Sequence, residues 1–165
     1  MTKYTYNNIE LPNEIALNFR LYKVFEGDEN KGLGKGIEYR NGKASALVHI
    51  YDKHHIVPDD ISDDIVLLEF GNIIYEASQE RNWNILSDAH SLVDRDGVAY
   101  LVNSFGIDYD GYGVITILSL TTIRGSFLKL RYTFVNDYDV QERTKEHGEF
   151  LGALSACIAS QKHPT

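Results

Sequence analysis

Residues 125–134 read Gly-Ser-Phe-Leu-Lys-Leu-Arg-Tyr-Thr-Phe, and from Leu128 onward apolar and polar side chains alternate. The apolar set is Leu128, Leu130, Tyr132 and Phe134, and the polar set is Lys129, Arg131 and Thr133. A repeat of two residues places the two sets on opposite faces of a β-strand. The pattern therefore predicts a strand with one face in a core and the other face exposed to solvent or covered by polar groups.

The same repeat extends outward from this strand, from Trp83 to Asn136. Three turn sequences interrupt it, Asp96-Gly97, Asp110-Gly111-Tyr112-Gly113 and Arg124-Gly125-Ser126. Gly, Asp and Ser are residues that tight turns favour. The segment is therefore predicted to be an antiparallel meander of four strands.

Three earlier strands complete the predicted sheet. The first runs from residue 15 to residue 25 on an alternation of Ile15, Leu17, Phe19 and Leu21. A polar, Gly-rich loop over 27–34 leads to strands at 36–40 and 44–51. Between these two strands Asn41-Gly42 is predicted to be a two-residue hairpin turn, because both residues tolerate a positive φ.

Two helices are predicted from the spacing of apolar residues. Residues 63–81 follow the N-cap candidate Ser62 and have an apolar stripe of Val66, Phe70, Ile73 and Ala77, joined by Leu67 and Ile74. The second helix begins at Asp139, with Glu142 at capping-box spacing, and ends near Ser160. Its stripe of Phe150, Leu151, Leu154, Cys157 and Ile158 predicts that Cys157 is a small buried hydrophobe. Gly148 and Gly152 would let another element approach this helix closely.

The element order is β-β-β-α-β-β-β-β-α, which predicts an α+β fold with a mainly antiparallel sheet packed with two helices. We expect one domain over residues 14–160, between a flexible N-terminus at 1–13 and a flexible tail at 161–165. A chain of 165 residues is long enough to bury its own core, and its single cysteine excludes an intramolecular disulfide.

Three short segments resemble a known family. They are residues 34–40 (Gly-Lys-Gly-Ile-Glu-Tyr-Arg), 46–52 (Ala-Leu-Val-His-Ile-Tyr-Asp) and 124–133 (Arg-Gly-Ser-Phe-Leu-Lys-Leu-Arg-Tyr-Thr). With the element order and Gly97-Val98-Ala99 opening a strand, the chain resembles, over about residues 15–158, an uncharacterised family of small bacterial, often exported proteins with a Mog1/PsbP-like α-β-α sandwich. The resemblance implies this architecture and a bacterial source, and it transfers no catalytic residue.

The charge balance limits the partners. Lys and Arg number 16 against 24 Asp and Glu, so the formal net charge is −8. Nucleic acids and anionic membranes are bound largely through phosphate neutralisation, so an acidic chain without a basic cluster argues against both. No run approaches the ~20 apolar residues of a membrane span, and residues 1–8 lack the apolar core of a signal peptide. We expect a soluble protein, cytoplasmic as the sequence stands or periplasmic if a leader has been removed.

Motifs for catalysis and cofactors are absent from the sequence. The Gly32-Leu33-Gly34-Lys35-Gly36 run precedes a predicted strand, whereas a phosphate loop opens a helix. Asp108-Tyr109-Asp110-Gly111 starts like a calcium loop but lacks the later ligands, so we expect a turn. No Gly-x-Ser-x-Gly or His-Glu-x-x-His motif occurs. We therefore expect no cofactor, no metal and no catalytic residue, and an enzyme is the less favoured reading.

One flank is strongly acidic. Asp59, Asp60, Asp63 and Asp64 surround the start of the first helix, with Glu69, Glu76 and Glu80 further along it. Such a flank would steer a basic partner electrostatically. The leading hypothesis is thus a non-catalytic, protein-binding accessory protein of a bacterium, such as a chaperone, immunity protein or inhibitor.

Two alternatives stay open. One is an enzyme or small-molecule binder with a pocket between sheet and helix, in which Lys129, Arg131 and His49 are the polar anchors. The other is a periplasmic accessory domain that binds metal near His54 and His55. Neighbouring strand residues point to opposite faces, so these two histidines are poor ligands for one ion.

Overall fold

The structure is a computed structural model that describes residues 3–6, 9–79, 84–85, 91–109, 112–136 and 140–162. These residues form eleven strands, two long helices and one short 3-10 turn at Glu29–Lys31. The strands are β1 (Lys3–Tyr6), β2 (Ile9–Pro12), β3 (Glu14–Ile15), β4 (Phe19–Glu26), β5 (Lys35–Arg40), β6 (Ala44–Tyr51), β7 (Asn84–Ile85), β8 (Ser91–Arg95), β9 (Val98–Tyr109), β10 (Tyr112–Ile123) and β11 (Ser126–Asn136). The helices are α1 (Asp64–Gln79) and α2 (Val140–Lys162).

Within the described residues, nine of the strands form one antiparallel sheet. Its order is β3-β4-β5-β6-β11-β10-β9, and both β7 and β8 pair with β9. Strands β1 and β2 form a separate hairpin. The predicted meander is confirmed as β8-β9-β10-β11, and β11 then pairs with β6 from the first half of the chain. The α+β class with a mainly antiparallel sheet and two helices is confirmed.

Each face of the sheet packs against one helix. On one face, Leu128, Leu130 and Tyr132 belong to the core cluster that also contains Phe150 of α2. On the other face, Phe127 belongs to a second cluster that contains Val66, Phe70, Ile73 and Ala77 of α1. The alternation that predicted two different faces for β11 therefore separates the two layers of the core.

The prediction of one continuous strand over residues 15–25 is wrong, because the chain turns between Ile15 and Phe19. Leu17 and Asn18 have positive φ angles of 65° and 63°, so the chain turns between β3 and β4. The side-chain amide of Asn41 donates to the Leu17 carbonyl at 3.2 Å and supports this turn from the neighbouring hairpin. A tertiary hydrogen bond thus interrupts an alternation that looked continuous.

The β5–β6 hairpin is confirmed, but its turn is displaced by one residue. Gly42, with φ +85°, and Lys43 occupy the centre, and Asn41 does not have a positive φ. Instead the Asn41 Oδ1 accepts the N–H groups of Lys43 and Ala44, both at 2.9 Å. Asn41 therefore contributes its side chain to the turn rather than its tolerance of positive φ.

The predicted stripe of α1 is confirmed at Val66, Phe70, Ile73 and Ala77, all buried. The predicted cap is wrong, because Asp63 precedes the helix and its Oδ1 accepts the Ile65 N–H at 3.0 Å. Ser62 instead donates its N–H and Oγ–H to Asp60. Leu67 is exposed rather than part of the stripe.

In α2, Phe150, Leu151, Leu154 and Ile158 are buried as predicted, and Asp139 lies outside the described residues. Cys157 is only half-buried, with its Sγ 3.6 Å from the Glu10 carbonyl, so the prediction of full burial is wrong. It lies between the β1–β2 hairpin and the edge of the core cluster that α2 forms with the sheet.

The two glycines of α2 face the β8–β9 turn. A Cβ on Gly148 would lie 3.4 Å from an Arg95 guanidinium nitrogen, and a Cβ on Gly152 would lie 3.8 Å from an Asp96 carboxylate oxygen. Both are ends of flexible side chains at ordinary van der Waals distances, so the close approach predicted for Gly148 and Gly152 is not seen at either glycine.

Packed residues begin before residue 14 and continue past residue 160. Ile9 and Leu11 are buried in the core cluster of α2. Gln161 accepts the Glu10 N–H at 2.7 Å and donates to the Glu10 carbonyl at 2.9 Å. These contacts place part of both segments that the sequence assigned as flexible within the packed structure.

His147 of α2 makes the fold sensitive to acid. Burial, together with the smaller effect of the Arg95 cation, lowers the pKa of His147 to about 4. Its unfolded pKa is about 6.5, so between pH 7 and pH 5 the unfolded chain gains a proton that the folded chain does not, which removes about 2 kcal/mol of stability. Urea titrations of His147→Gln should show a smaller acid loss than wild type, whereas the exposed control His55→Gln should lose as much as wild type. An unchanged loss in His147→Gln would contradict this assignment.

Candidate functional site

The four aspartates of the acidic flank are in place around the start of α1, but they differ in role. Asp59 Oδ1 accepts the Thr122 hydroxyl at 3.0 Å, which ties the segment to β10. Asp63 caps the helix, and hydrogen bonds from Ser62 lower the pKa of Asp60. Asp59, Asp60 and Asp64 are exposed. The flank therefore combines structural carboxylates with surface charge.

One carboxylate of the predicted flank is not on the surface. Glu69 is buried in α1, where its Oε2 accepts the Tyr51 hydroxyl at 2.5 Å and its Oε1 accepts the Lys53 ammonium at 2.7 Å. Burial and the Glu69 carboxylate raise the pKa of Tyr51, which keeps the phenol protonated as a donor. Glu69 therefore ties α1 to the end of β6, and counting it in the acidic flank is wrong.

The outer face of α1 exposes large apolar side chains that the sequence analysis did not single out. Leu68 is 68% exposed, Tyr75 is 66% exposed, and Ile65 is exposed on the same side. Steps of three and seven residues align them opposite the buried stripe. We call Ile65, Leu68 and Tyr75 the α1 ridge. Asp64 and Glu76 lie on either side of the ridge on the same helix, and both are exposed.

A small groove borders the α1 ridge. Its volume is about 120 Å³. The residues that line it are Lys53, His55, Ile65, Leu68, Glu69, Asn72 and Phe127. Ile56 follows the groove residue His55 in the sequence, and its side chain is 91% exposed. The ridge and the groove together form a partly apolar surface beside the acidic flank.

The three polar anchors of the alternative site lie on one face of the sheet. Antiparallel pairing of β6 with β11 places His49 opposite Lys129 and Leu47 opposite Arg131. We call His49, Lys129 and Arg131 the cationic patch, after its lysine and its arginine. The sequence predicted that Lys129 and Arg131 share a face, and the strand pairing adds His49 to them.

His49 is held in a defined orientation. Its Nε2 lies 2.5 Å from the Leu33 carbonyl, and its ring centroid lies 4.6 Å from that of Tyr51. Burial lowers the pKa of His49, so the ring is neutral at pH 7. Because a carbonyl only accepts hydrogen bonds, Nε2 carries the proton and Nδ1 is the acceptor of the ring.

The Gly-rich loop borders an open cavity of about 430 Å³. Its lining is polar: Glu26, Gly27, Glu29, Gly32, Gly34, Lys35, Asp52 and His54. His54 Nε2 lies 2.8 Å from the Asn30 carbonyl, and His55 is exposed. In the described part of the chain no three His, Cys, Asp or Glu side chains are placed to hold a metal ion. Of the predicted calcium-like turn, Asp110 and Gly111 lie outside the described residues.

Comparisons with known proteins report on the fold. No family model and no curated protein matches the sequence. Among solved structures, the chain is similar to PA94, a protein of unknown function from Pseudomonas aeruginosa, with 11% identity and a TM-score of 0.50 over 92% of this chain and 94% of that one. It is also similar to PsbP from the cyanobacterium Synechocystis sp. PCC 6803, with 16% identity and a TM-score of 0.48 over 99% of this chain and 92% of that one.

The similarity to PA94 is one of fold at low identity, and neither comparison transfers a site residue. A PsbP protein is among the structures that the chain matches, whereas the bacterial source and export that the family resemblance implied stay predictions. Neither helix in the described residues is long and apolar enough to cross a membrane.

Proposed function

We propose that this protein is a non-catalytic accessory factor that binds a basic protein partner through α1. The observation that carries the proposal is the α1 ridge, where Leu68 and Tyr75 are two-thirds exposed between the acidic side chains of Asp64 and Glu76. Exposed aromatic and aliphatic side chains beside a charged rim are the composition of a protein-binding surface.

The charges favour one kind of partner. With a net charge of −8 and the acidic flank next to the ridge, a positively charged segment with apolar side chains complements this surface. The apolar side chains would fill the groove beside Leu68, while the rim carboxylates would orient the partner during its approach. Chaperone, immunity and inhibitor roles all fit such a surface.

The ridge is tested by capture from a lysate and a binding measurement on the captured protein. Leu68→Ser with Tyr75→Ser should weaken binding by roughly tenfold or more, because exposed anchors of this type dominate interface energies. Leu92→Ser is the matched control, since Leu92 is also 68% exposed but lies on β8. Equal affinities for the ridge variant and wild type would refute docking on α1.

The acidic rim is tested by association kinetics. Asp64→Asn with Glu76→Gln should slow association and flatten its dependence on ionic strength, with little change in dissociation, because rim charges act mainly on the encounter rate. Asp59, Asp60 and Asp63 are kept, because each accepts a hydrogen bond that holds the segment before α1.

The control variant, Glu142→Gln with Glu149→Gln, removes the same charge from exposed positions of α2 on the opposite face of the sheet. It should leave the salt dependence of association unchanged. If both variants flatten the salt dependence equally, net charge rather than the α1 rim would explain the steering.

A further inference from the structure

We propose that the cationic patch of His49, Lys129 and Arg131 binds a small phosphate- or carboxylate-bearing anion on the sheet. The patch lies on the sheet face against which α1 packs, whereas the α1 ridge lies on the outer side of that helix. The inference does not depend on the proposed protein partner.

The first argument is the placement of the two cations. Lys129 and Arg131 alternate with buried residues of β11, so both side chains leave the same face, roughly 7 Å apart along the strand. That spacing lets one phosphate or carboxylate group contact an ammonium and a guanidinium together. Arg131 supplies the planar fork that matches the two oxygens of such a group.

The second argument is that the Lys129 ammonium has no carboxylate in direct contact. In the described part of the chain its ammonium makes no hydrogen bond or ion pair, and its nearest specific contact is the Tyr51 ring, with the centroid 5.6 Å away. The buried carboxylate of Glu69 accepts hydrogen bonds from Tyr51 and Lys53 rather than from Lys129. A half-buried charge without a partner is unfavourable unless a ligand supplies one.

The surroundings strengthen this argument. On β10, Leu118 and Leu120 lie directly opposite Arg131 and Lys129 in the strand register, and both leucines are buried. Apolar neighbours reduce the screening of charges, so an anion here would interact more strongly than at the surface. Burial lowers the pKa of Lys129 despite the carboxylates of Glu69 and Glu76, so those carboxylates do not fully compensate the charge.

The acceptor nitrogen of His49 favours an anion that also carries a hydrogen-bond donor. Its Nδ1 is an acceptor, because Nε2 donates to the Leu33 carbonyl. An anion that also carries an O–H donor, such as hydrogen phosphate or a hydroxy acid, would satisfy the two cations and this acceptor together. A fully deprotonated simple carboxylate would satisfy the cations alone.

The experiment is a titration of the whole chain, labelled with ¹⁵N, with inorganic phosphate and separately with acetate in a phosphate-free buffer. Saturable shifts centred on β6 and β11 are expected, with tighter binding of phosphate. Lys129→Met keeps the length of the side chain and removes its charge, and it should weaken phosphate binding by about tenfold. Lys145→Met removes an exposed charge of α2 and should bind as wild type does.

Stability without ligand separates a binding role from a structural one. If Lys129 serves a ligand, Lys129→Met should melt at the wild-type temperature or above it, while phosphate raises the melting temperature of wild type but not of the variant. Non-saturable shifts, shifts spread over the surface lysines, or wild-type affinity in Lys129→Met would overturn the proposal. None of these outcomes bears on docking at α1.

Discussion

Replacing Gly34 with alanine should destabilise the fold by ~3 kcal/mol or more, because two unfavourable effects combine at this residue. Gly34 has a φ of +59°, which L-residues with a side chain rarely adopt. A Cβ at this position would also lie 1.9 Å from the Ile50 carbonyl oxygen and 2.9 Å from the Tyr51 Cα. Both obstacles are backbone atoms of β6, which cannot rotate away as a side chain could.

The control is Gly42→Ala in the β5–β6 turn. Gly42 has a similar positive φ of +85°, but no heavy atom lies within 4 Å of an added Cβ. This variant should lose only about 1 kcal/mol, the cost of the left-handed backbone alone. Urea unfolding of both variants measures the difference, and equal losses would show that the loop over 27–34 moves away from β6 at little cost.

The Gly34 contact also bears on the cationic patch. The loop that contains Gly34 supplies the Leu33 carbonyl that holds His49. If Gly34→Ala displaces the loop, His49 loses the hydrogen bond that fixes its proton on Nε2. Phosphate binding at the patch should therefore weaken in Gly34→Ala and remain intact in Gly42→Ala.

The meander was predictable because its signals are local. Asp96-Gly97 has φ angles of 51° and 81°, and Arg124-Gly125 has φ angles of 47° and 79°, so the chemistry of each turn specifies its own geometry. The buried stripe of α1 was predictable for the same reason, since it depends only on helical spacing.

What sequence reasoning missed depends on distant contacts. Leu17 continues an apolar alternation, and only the hydrogen bond from Asn41 reveals the turn. The pairing of β6 with β11 joins segments about 80 residues apart, so no local pattern could show that His49 lies opposite Lys129. The exposure of Leu68 was open to prediction, because it lies opposite the Val66 and Phe70 positions on a helical projection.

The local sequence pattern of α1 did not predict the burial of Glu69. By composition it belongs to an acidic helix surface, yet it lies three residues after Val66 and next to Phe70, on the edge of the buried stripe. A carboxylate there is tolerated only because Tyr51 and Lys53 arrive from β6 and the turn after it. The partner donors come from another element, so the helix sequence alone could not identify them.

Replacing Glu69 with alanine should therefore destabilise the fold by roughly 2–3 kcal/mol, since the buried Tyr51 hydroxyl and the Lys53 ammonium lose their shared acceptor. The Lys53 side chain is one-third exposed and can regain water, which keeps the loss below that of a fully buried ion pair. Glu76→Ala, on the exposed side of the same helix, is the matched control and should change stability by less than about 0.5 kcal/mol.

The double variant Tyr51→Phe with Glu69→Ala separates the two contributions in urea unfolding. If the unsatisfied hydroxyl accounts for much of the loss, adding Tyr51→Phe should recover part of it, because no buried donor is then left without an acceptor. Full additivity of the two single losses would mean that Tyr51 and Glu69 act separately, and the hydrogen bond would then not be what fixes α1 on the sheet. Recovery would instead identify this buried contact as the link between the helix that carries the proposed docking ridge and the strand that carries His49.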